Sequence, residues 1–149
     1  CIGTTKKNTP DKDEYRRIEY DIPVEIAKIA KSNSINSFFY VSSGFADSKS
    51  SSAYLKNKGQ VEEELIKLNF SILGIMRPSF LVGNRKEKRP GEEVGIFFFK
   101  IFSPLLLGPL KKMRPIQSEK VAKVMIKVAN ENLKKTIFES NEIAELVLN

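Results

Sequence analysis

A tyrosine and a lysine four residues apart, Tyr54 and Lys58, could carry acid–base chemistry in this sequence. Residues at this spacing lie on one face of a helix, so the lysine ammonium can lie beside the tyrosine phenol. A cation within about 4–6 Å stabilises a phenolate, which would make Tyr54 a usable proton donor or acceptor. The spacing alone is weak evidence for an active site, because at least one such tyrosine–lysine pair arises by chance in roughly 40% of shuffled sequences. The alternative is a half-buried tyrosine beside a solvated lysine.

The composition limits which other groups could do this work. The chain has no histidine and one cysteine, Cys1, which excludes serine–histidine triads, cysteine–histidine pairs and imidazole-bound zinc within its 149 residues. Few metal ligands remain, and we predict no metal site. Acid–base chemistry near neutral pH must therefore use a carboxylate, a lysine or a tyrosine.

The charge and the cysteine content bear on partners and location. A net charge of +7 suits an anionic partner, but the basic residues come in small groups separated by acidic ones, without an RNA-binding signature. We therefore predict no nucleic-acid partner. With no disulfide within the chain and no secretory signal, the sequence predicts a cytoplasmic protein.

The elements that would position Tyr54 and Lys58 are a helix and the strands around it. Apolar runs predict buried strands at residues 37–43 and 71–78. The segment between them predicts an amphipathic helix, in which Gly59 costs about 1 kcal/mol relative to alanine and so calls for a packing reason. The apolar positions of this helix are Leu55, Val61, Leu65 and Leu68.

Helices and strands alternate along the rest of the chain as well. A helix from Ile22, a helix from Ser118, a strand at residues 135–139 and a helix from Ser140 are predicted. Polar residues 8–14 and 83–93 read as loops. The expected apolar faces are Ile22, Ile26, Ile29 and Ala30 in the first of these helices, and Val121, Ala122, Met125, Ile126 and Ala129 in the second. This alternation predicts one α/β domain over residues 1–149 with a parallel sheet covered on both faces.

Two serines follow the first predicted strand, and ligands of open α/β sheets bind beyond the carboxyl ends of the strands. A hydroxyl of Ser42 or Ser43 could polarise a carbonyl there while Tyr54 exchanges a proton with it. The segments "YVSS" and "YLKNK" together resemble the serine, tyrosine and lysine set of the short-chain dehydrogenase/reductase superfamily, which transfers hydride between a nicotinamide cofactor and a carbonyl or alcohol.

Three more segments look like the atypical branch that contains the Tat-interacting oxidoreductases and their bacterial NAD(P)-binding relatives: "CIGTT", "RPSFLVGNRKEKRPGE" and "IFESNEI". By this resemblance Tyr54 is the proton donor or acceptor, and Lys58 assists it and holds the nicotinamide ribose. Ser43 is the catalytic serine, with Ser42 as the alternate.

The resemblance also implies residues that border the cofactor. Gly3, Thr4 and Thr5 would sit at the end of a strand beside it, and Pro78 with Ser79 would lie beside the nicotinamide. The threonines could instead begin a loop, and the proline could simply end a strand. The cofactor would be NADP or NAD, with NADP slightly favoured.

The resemblance implies the C-terminal part of a Rossmann-like, doubly wound parallel sheet. Members of the superfamily open with a strand, a glycine-rich turn and a helix that hold the pyrophosphate, and this sequence lacks that opening. We therefore expect the C-terminal two-thirds of a longer protein rather than a natural truncation, with one long sheet edge left unpaired.

The apolar stretch at residues 94–110 is shorter than the ~20 residues of a membrane-spanning helix and is interrupted by Lys100, Pro104 and Pro109, so we predict no span. It could be a core helix followed by a loop. It could equally form a surface for a hydrophobic substrate, a protein partner, a dimer contact or an interfacial membrane attachment.

The first functional hypothesis is an NAD(P)-dependent oxidoreductase of a small carbonyl or alcohol, with this chain alone inactive. The alternative is a non-catalytic NAD(P)-binding regulatory or protein-interaction module. A sugar-nucleotide epimerase is a third hypothesis that rests on fold analogy.

The missing glycine-rich turn leads to a binding prediction. Because the turn would hold the pyrophosphate, the 149-residue chain by itself should show no appreciable affinity for NADPH in titration calorimetry. Clear micromolar binding by this chain would contradict that expectation.

Overall fold

The computed structural model describes residues 3–82, 114–131 and 133–148. The predicted loop at residues 83–93 and the apolar stretch at residues 94–110 lie outside the described residues. The described elements are α1 (Lys12–Arg16), a π-helical turn (Arg17–Asp21), α2 (Ile22–Ser32), β1 (Ser37–Val41), α3 (Ala53–Lys67), β2 (Ile72–Arg77), β3 (Leu81–Val82), β4 (Ile116–Gln117), α4 (Ser118–Glu131), β5 (Ile137–Glu139) and α5 (Ser140–Leu146).

The predicted strands and helices in these ranges are confirmed, with strand ends shifted by at most two residues. The predicted loop at residues 8–14 is wrong in its second half, since α1 begins at Lys12. The Asp11 side chain caps this helix by accepting the backbone N–H of Glu14 at 2.8 Å. The short strands β3 and β4, which pair in parallel, were not predicted.

Strands β1, β2 and β5 form a parallel sheet in that order. The α/β class and the parallel sheet are therefore confirmed, while the doubly wound arrangement stays a prediction. Because successive side chains of a strand point to opposite faces, Ile75 and Met76 of β2 enter two different cores. One core includes Leu65 of α3, and the other includes Val124 of α4.

The predicted apolar faces of α2 and α4 are wrong in part. Ile29 is 61% exposed and Ile126 is 63% exposed, whereas Ala27, Val124 and Val128 are fully buried. Both helices carry apolar residues on more than one face, and periodicity alone cannot tell which face meets the sheet.

The close packing of a neighbouring loop explains why a glycine, which weakens a helix, stands at position 59 of α3. The chain that follows β1 crosses α3 so closely that a Cβ at Gly59 would lie 2.8 Å from Cα of Asp47 and closer still to the Ser48 nitrogen. The Asp47 N–H also donates to the Leu55 carbonyl at 3.1 Å. The missing side chain therefore lets this loop lie directly on the helix that carries Tyr54 and Lys58.

We expect Gly59→Ala to destabilise the protein by roughly 1–3 kcal/mol, because the new methyl group overlaps backbone that cannot move independently. In an unobstructed helix the same change would stabilise by about 1 kcal/mol, so the sign of the effect is diagnostic. Denaturant unfolding of the complete protein measures it, with the exposed Lys56→Ala as the control. Unchanged or increased stability in Gly59→Ala would show that the loop does not lie on the helix.

Candidate active site

A cavity of about 750 Å³ lies beside the carboxyl end of β1 and the first turns of α3. Its volume falls within the range of small-molecule sites. Six residues proposed from the sequence line it, namely Gly3, Thr4, Thr5, Ser42, Tyr54 and Lys58, and Tyr15 and Glu19 also contribute to the wall. The edge of the sheet that the sequence indicated is therefore where these side chains meet.

The Lys58 ammonium is buried at this cavity, with the residue only 7% exposed. Its Nζ donates to the Tyr40 hydroxyl at 3.0 Å and lies 3.2 Å from Oε2 of Glu19, in an ion pair that lacks the angle of a hydrogen bond. The Tyr54 ring centroid is 5.8 Å from Nζ. The amine thus lies next to Tyr54, but its direct partners are a different phenol and a carboxylate.

The charge of Lys58 is maintained by these neighbours. Burial by itself would lower the pKa of Lys58, but the Tyr40 hydroxyl and the Glu19 carboxylate outweigh burial and raise the pKa above its ordinary value. Lys58 therefore stays protonated across the physiological range. The stability that this pair contributes is present below the ordinary lysine pKa and is lost only as the pH rises past the raised value.

Three phenols surround the ammonium, and they differ in exposure. Burial raises the pKa of Tyr40 and of Tyr15, with Lys58 opposing the change in both, so these two side chains stay neutral at physiological pH. Tyr54 is 38% exposed and faces the cavity. Of these three, Tyr54 is the phenol most open to a ligand.

Ser42 belongs to a second buried polar network at the strand ends. Its hydroxyl donates to Oε1 of Glu62, a buried carboxylate that also pairs with the Arg77 guanidinium. Arg77 reaches Glu139 at 3.2 Å as well, so the network joins the ends of β1, β2 and β5 to α3. The Ser42 proton is thereby committed to Glu62, and its oxygen remains an acceptor toward the cavity.

Ser43, Pro78 and Ser79 lie at the same edge of the sheet but are not part of the described cavity wall. The Ser43 hydroxyl donates to the Gly44 carbonyl at 3.2 Å, and the Gly44 N–H donates to the Pro78 carbonyl at 2.8 Å. The Ser79 hydroxyl donates to the Arg114 carbonyl at 2.6 Å. The roles proposed for these three residues stay predictions, and Ser42 is the serine that lines the cavity.

Residues 3–5 also line the cavity. The Thr4 N–H donates to Oε1 of Glu19 at 2.6 Å, and the Thr4 hydroxyl lies 2.7 Å from that of Thr9. Thr4 and Thr5 are followed by a turn, since the Thr5 carbonyl accepts the Thr9 N–H at 2.9 Å. This segment is therefore tied to the same carboxylate that pairs with Lys58.

The residues present fit the nicotinamide-ribose end of a dinucleotide. The Lys58 ammonium has three N–H groups and two direct partners, so at least one N–H remains for a ligand. Thr5 and Ser42, which carry hydroxyl groups, also line the cavity. A ribose offers hydroxyl groups that both accept and donate, which matches this set of groups. The glycine-rich turn that would hold the pyrophosphate is not in this sequence.

Glu19, Tyr40 and the Glu62–Arg77 pair were missed by the sequence analysis. The sequence could have pointed to Glu19, because this residue follows Tyr15 by four positions and so lies on the same helix face. That face is buried, and a charged residue on a buried face is unusual. Tyr40 gave no such signal, since a tyrosine in an apolar strand reads as core.

No protein-family model matches this chain. It is 33% identical over 156 residues to the mitochondrial protein FMP52-1 of Scheffersomyces stipitis, with 98% of this chain and 67% of that protein covered. It is 31% identical over 154 residues to the mitochondrial protein FMP52 of Lodderomyces elongisporus, with 99% and 64% covered. It is 37% identical over 99 residues to the protein HTATIP2 of Rattus norvegicus, with 66% and 40% covered.

These relatives correct one expectation. The chain spans about two thirds of the length of the two fungal proteins. Both are named as mitochondrial, as are the similar proteins of Debaryomyces hansenii and Candida glabrata, so the predicted cytoplasmic location is wrong. Within the described ranges, the helices are too short or too polar to cross a membrane.

We expect Glu62→Gln to lower the free energy of unfolding by roughly 2–4 kcal/mol, because it removes the buried counter-charge of Arg77. Glu64→Gln on the same helix removes an exposed pair with Lys67 and should change stability little. Denaturant unfolding of both variants of the complete protein makes the comparison. Equal losses in the two variants would show that the Glu62 pair is not a buried structural link.

Proposed function

We propose that the chain, which belongs to the family of the fungal FMP52 proteins and HTATIP2 within the atypical short-chain dehydrogenases/reductases, is part of an oxidoreductase that uses NADP or NAD. The substrate would be a small carbonyl compound or alcohol. The observation that carries the proposal is the convergence of Tyr54, Lys58 and Ser42 on one cavity at the carboxyl end of β1. This is the edge at which open α/β sheets bind their ligands.

Tyr54 is the proposed proton donor to the substrate oxygen in reduction and the acceptor in oxidation. It is the phenol most open to the cavity, and the Lys58 ammonium lies 5.8 Å from its ring centroid. The nicotinamide, when bound, supplies or takes the hydride at the substrate carbon. Lys58 would also donate an N–H to a ribose hydroxyl.

The serine role in this proposal depends on which atom faces the substrate. Ser42 lines the cavity, and because its proton goes to Glu62 it presents an acceptor oxygen, which suits the hydroxyl of an alcohol better than a carbonyl. Ser43 is the serine that the sequence resemblance favours, and its hydroxyl, which donates to the Gly44 carbonyl, would have to turn to reach a substrate.

The second candidate function is a non-catalytic module that binds the nucleotide for regulation or protein interaction. The observation that favours it is that the site's polar groups are already engaged, Lys58 with Glu19 and Tyr40, and Ser42 with Glu62. Such a site could order the domain around a nucleotide without turnover. The names of the fungal relatives favour a mitochondrial location for either function.

We expect Tyr54→Phe to lower turnover by about 10²–10⁴-fold, the usual contribution of a general acid, while NADPH affinity stays near the wild-type value. The assay screens small carbonyl compounds with NADPH and NADH, using protein made from the complete coding sequence. Tyr20→Phe is the matched control, because the Tyr20 ring lies under the Arg16 guanidinium and packs against the core that includes Leu65, and Tyr20 does not line the cavity.

Two results would contradict the enzymatic proposal. One is a Tyr54→Phe variant that retains its reductase activity. The other is complete protein that binds NADPH yet turns over none of the carbonyl compounds or alcohols tested, which would favour the non-catalytic module.

A further inference from the structure

We infer that Glu19 is a positioning residue of this site, whose carboxylate holds the Lys58 ammonium at the cavity and links it to the backbone of Thr4. Oε2 of Glu19 lies 3.2 Å from Nζ of Lys58, and Oε1 accepts the Thr4 N–H at 2.6 Å. The contact between Lys58 and a nucleotide depends on the proposed function. The contact between Glu19 and Lys58 is seen in the structure and does not depend on it.

Glu19 acts on Lys58 rather than on a ligand. Its side chain contributes to the cavity wall, but the residue is 2% exposed and Oε2 is fully buried. Among the described residues Oε2 receives no hydrogen bond, so the ammonium is the charge that compensates it. A buried carboxylate without such compensation would be strongly unfavourable, and the two groups therefore hold each other in place.

The backbone that presents Glu19 is itself unusual. Glu19 lies in the π-helical turn Arg17–Asp21, between α1 and α2, and single π-turns within helices occur frequently at functional sites. On the other side of the carboxylate, Gly3 comes close enough that an added Cβ would lie 3.4 Å from Oε1. The carboxylate is thus enclosed between the turn, α3 and the segment at residues 3–5.

Glu19 is also the only carboxylate that the described structure places against this ammonium. The groups that face Lys58 are Glu19 from the π-helical turn, Tyr40 from β1 and Tyr54 from α3, with Tyr15 of α1 beside them. Burial raises the pKa of Tyr40 and of Tyr15, so both are neutral partners. If Glu19 becomes neutral, burial is left opposed mainly by Tyr40, and the pKa of Lys58 should fall.

The test measures the titration of the Lys58 amine in complete protein labelled with ¹⁵N-lysine, the signal being assigned by its loss in Lys58→Met. In Glu19→Gln the amine should lose its proton at lower pH than in the wild type. NADPH affinity, measured by calorimetry on the same samples, should fall about tenfold, and its loss at alkaline pH should begin earlier. Glu64→Gln on α3, which removes the partner of the exposed Lys67 and lies away from the cavity wall, is the control and should leave the titration and the affinity unchanged.

A second variant keeps the inference testable if Glu19→Gln does not fold. Tyr40→Phe removes the neutral hydrogen-bond partner and leaves the carboxylate, so the Lys58 amine should still carry its proton at neutral pH. An unchanged Lys58 titration in Glu19→Gln, or a Lys58 amine that is neutral at pH 7 in Tyr40→Phe, would overturn the inference. If the complete wild-type protein binds neither NADPH nor NADH, the proposed function fails, and the titrations still decide the role of Glu19.

Discussion

A single buried ammonium organises this site, because a charge that is almost fully removed from water must be matched by nearby groups. Lys58 meets the Tyr40 hydroxyl at 3.0 Å and the Glu19 carboxylate at 3.2 Å, and these partners come from β1 and from the π-helical turn. Glu19 in turn binds the Thr4 N–H. The positions of three separate segments around the cavity are therefore linked through one charge.

A second ionic network holds the frame around that charge. Arg77 at the end of β2 lies between Glu62 of α3 and Glu139 at the end of β5, and Glu62 accepts the hydroxyl proton of Ser42. This network ties α3 to the ends of the strands. On another part of the same helix, Gly59 lets the chain after β1 lie against α3. Tyr54 and Lys58 thus stand on a helix that is fixed from two sides, which suits a site that must hold a phenol near a ligand.

The sequence alone predicted the elements well and their contacts less well. The helix that carries Tyr54 and Lys58, and the strand that precedes Ser42, could be predicted because their apolar patterns are local. The direct partners of Lys58 were not readable, because Glu19 and Tyr40 are brought to it by tertiary packing. For the same reason, local spacing could not tell that Ile29 of α2 faces outward while Ala27 is buried. The Lys58 ammonium lies 5.8 Å from the Tyr54 ring centroid, but it donates its hydrogen bond to Tyr40, which the local spacing of Tyr54 and Lys58 could not show.

We propose that Glu19 and Tyr40 hold Lys58 at the cavity that a nicotinamide nucleotide would occupy. A crystal structure of the complete protein with bound NADPH is the sharpest test of this arrangement. We expect Nζ of Lys58 to contact both partners, with the nicotinamide ribose against it and the ring beside Tyr54. A Lys58 side chain turned away from Glu19, or a nucleotide bound far from this cavity, would show that the arrangement is wrong.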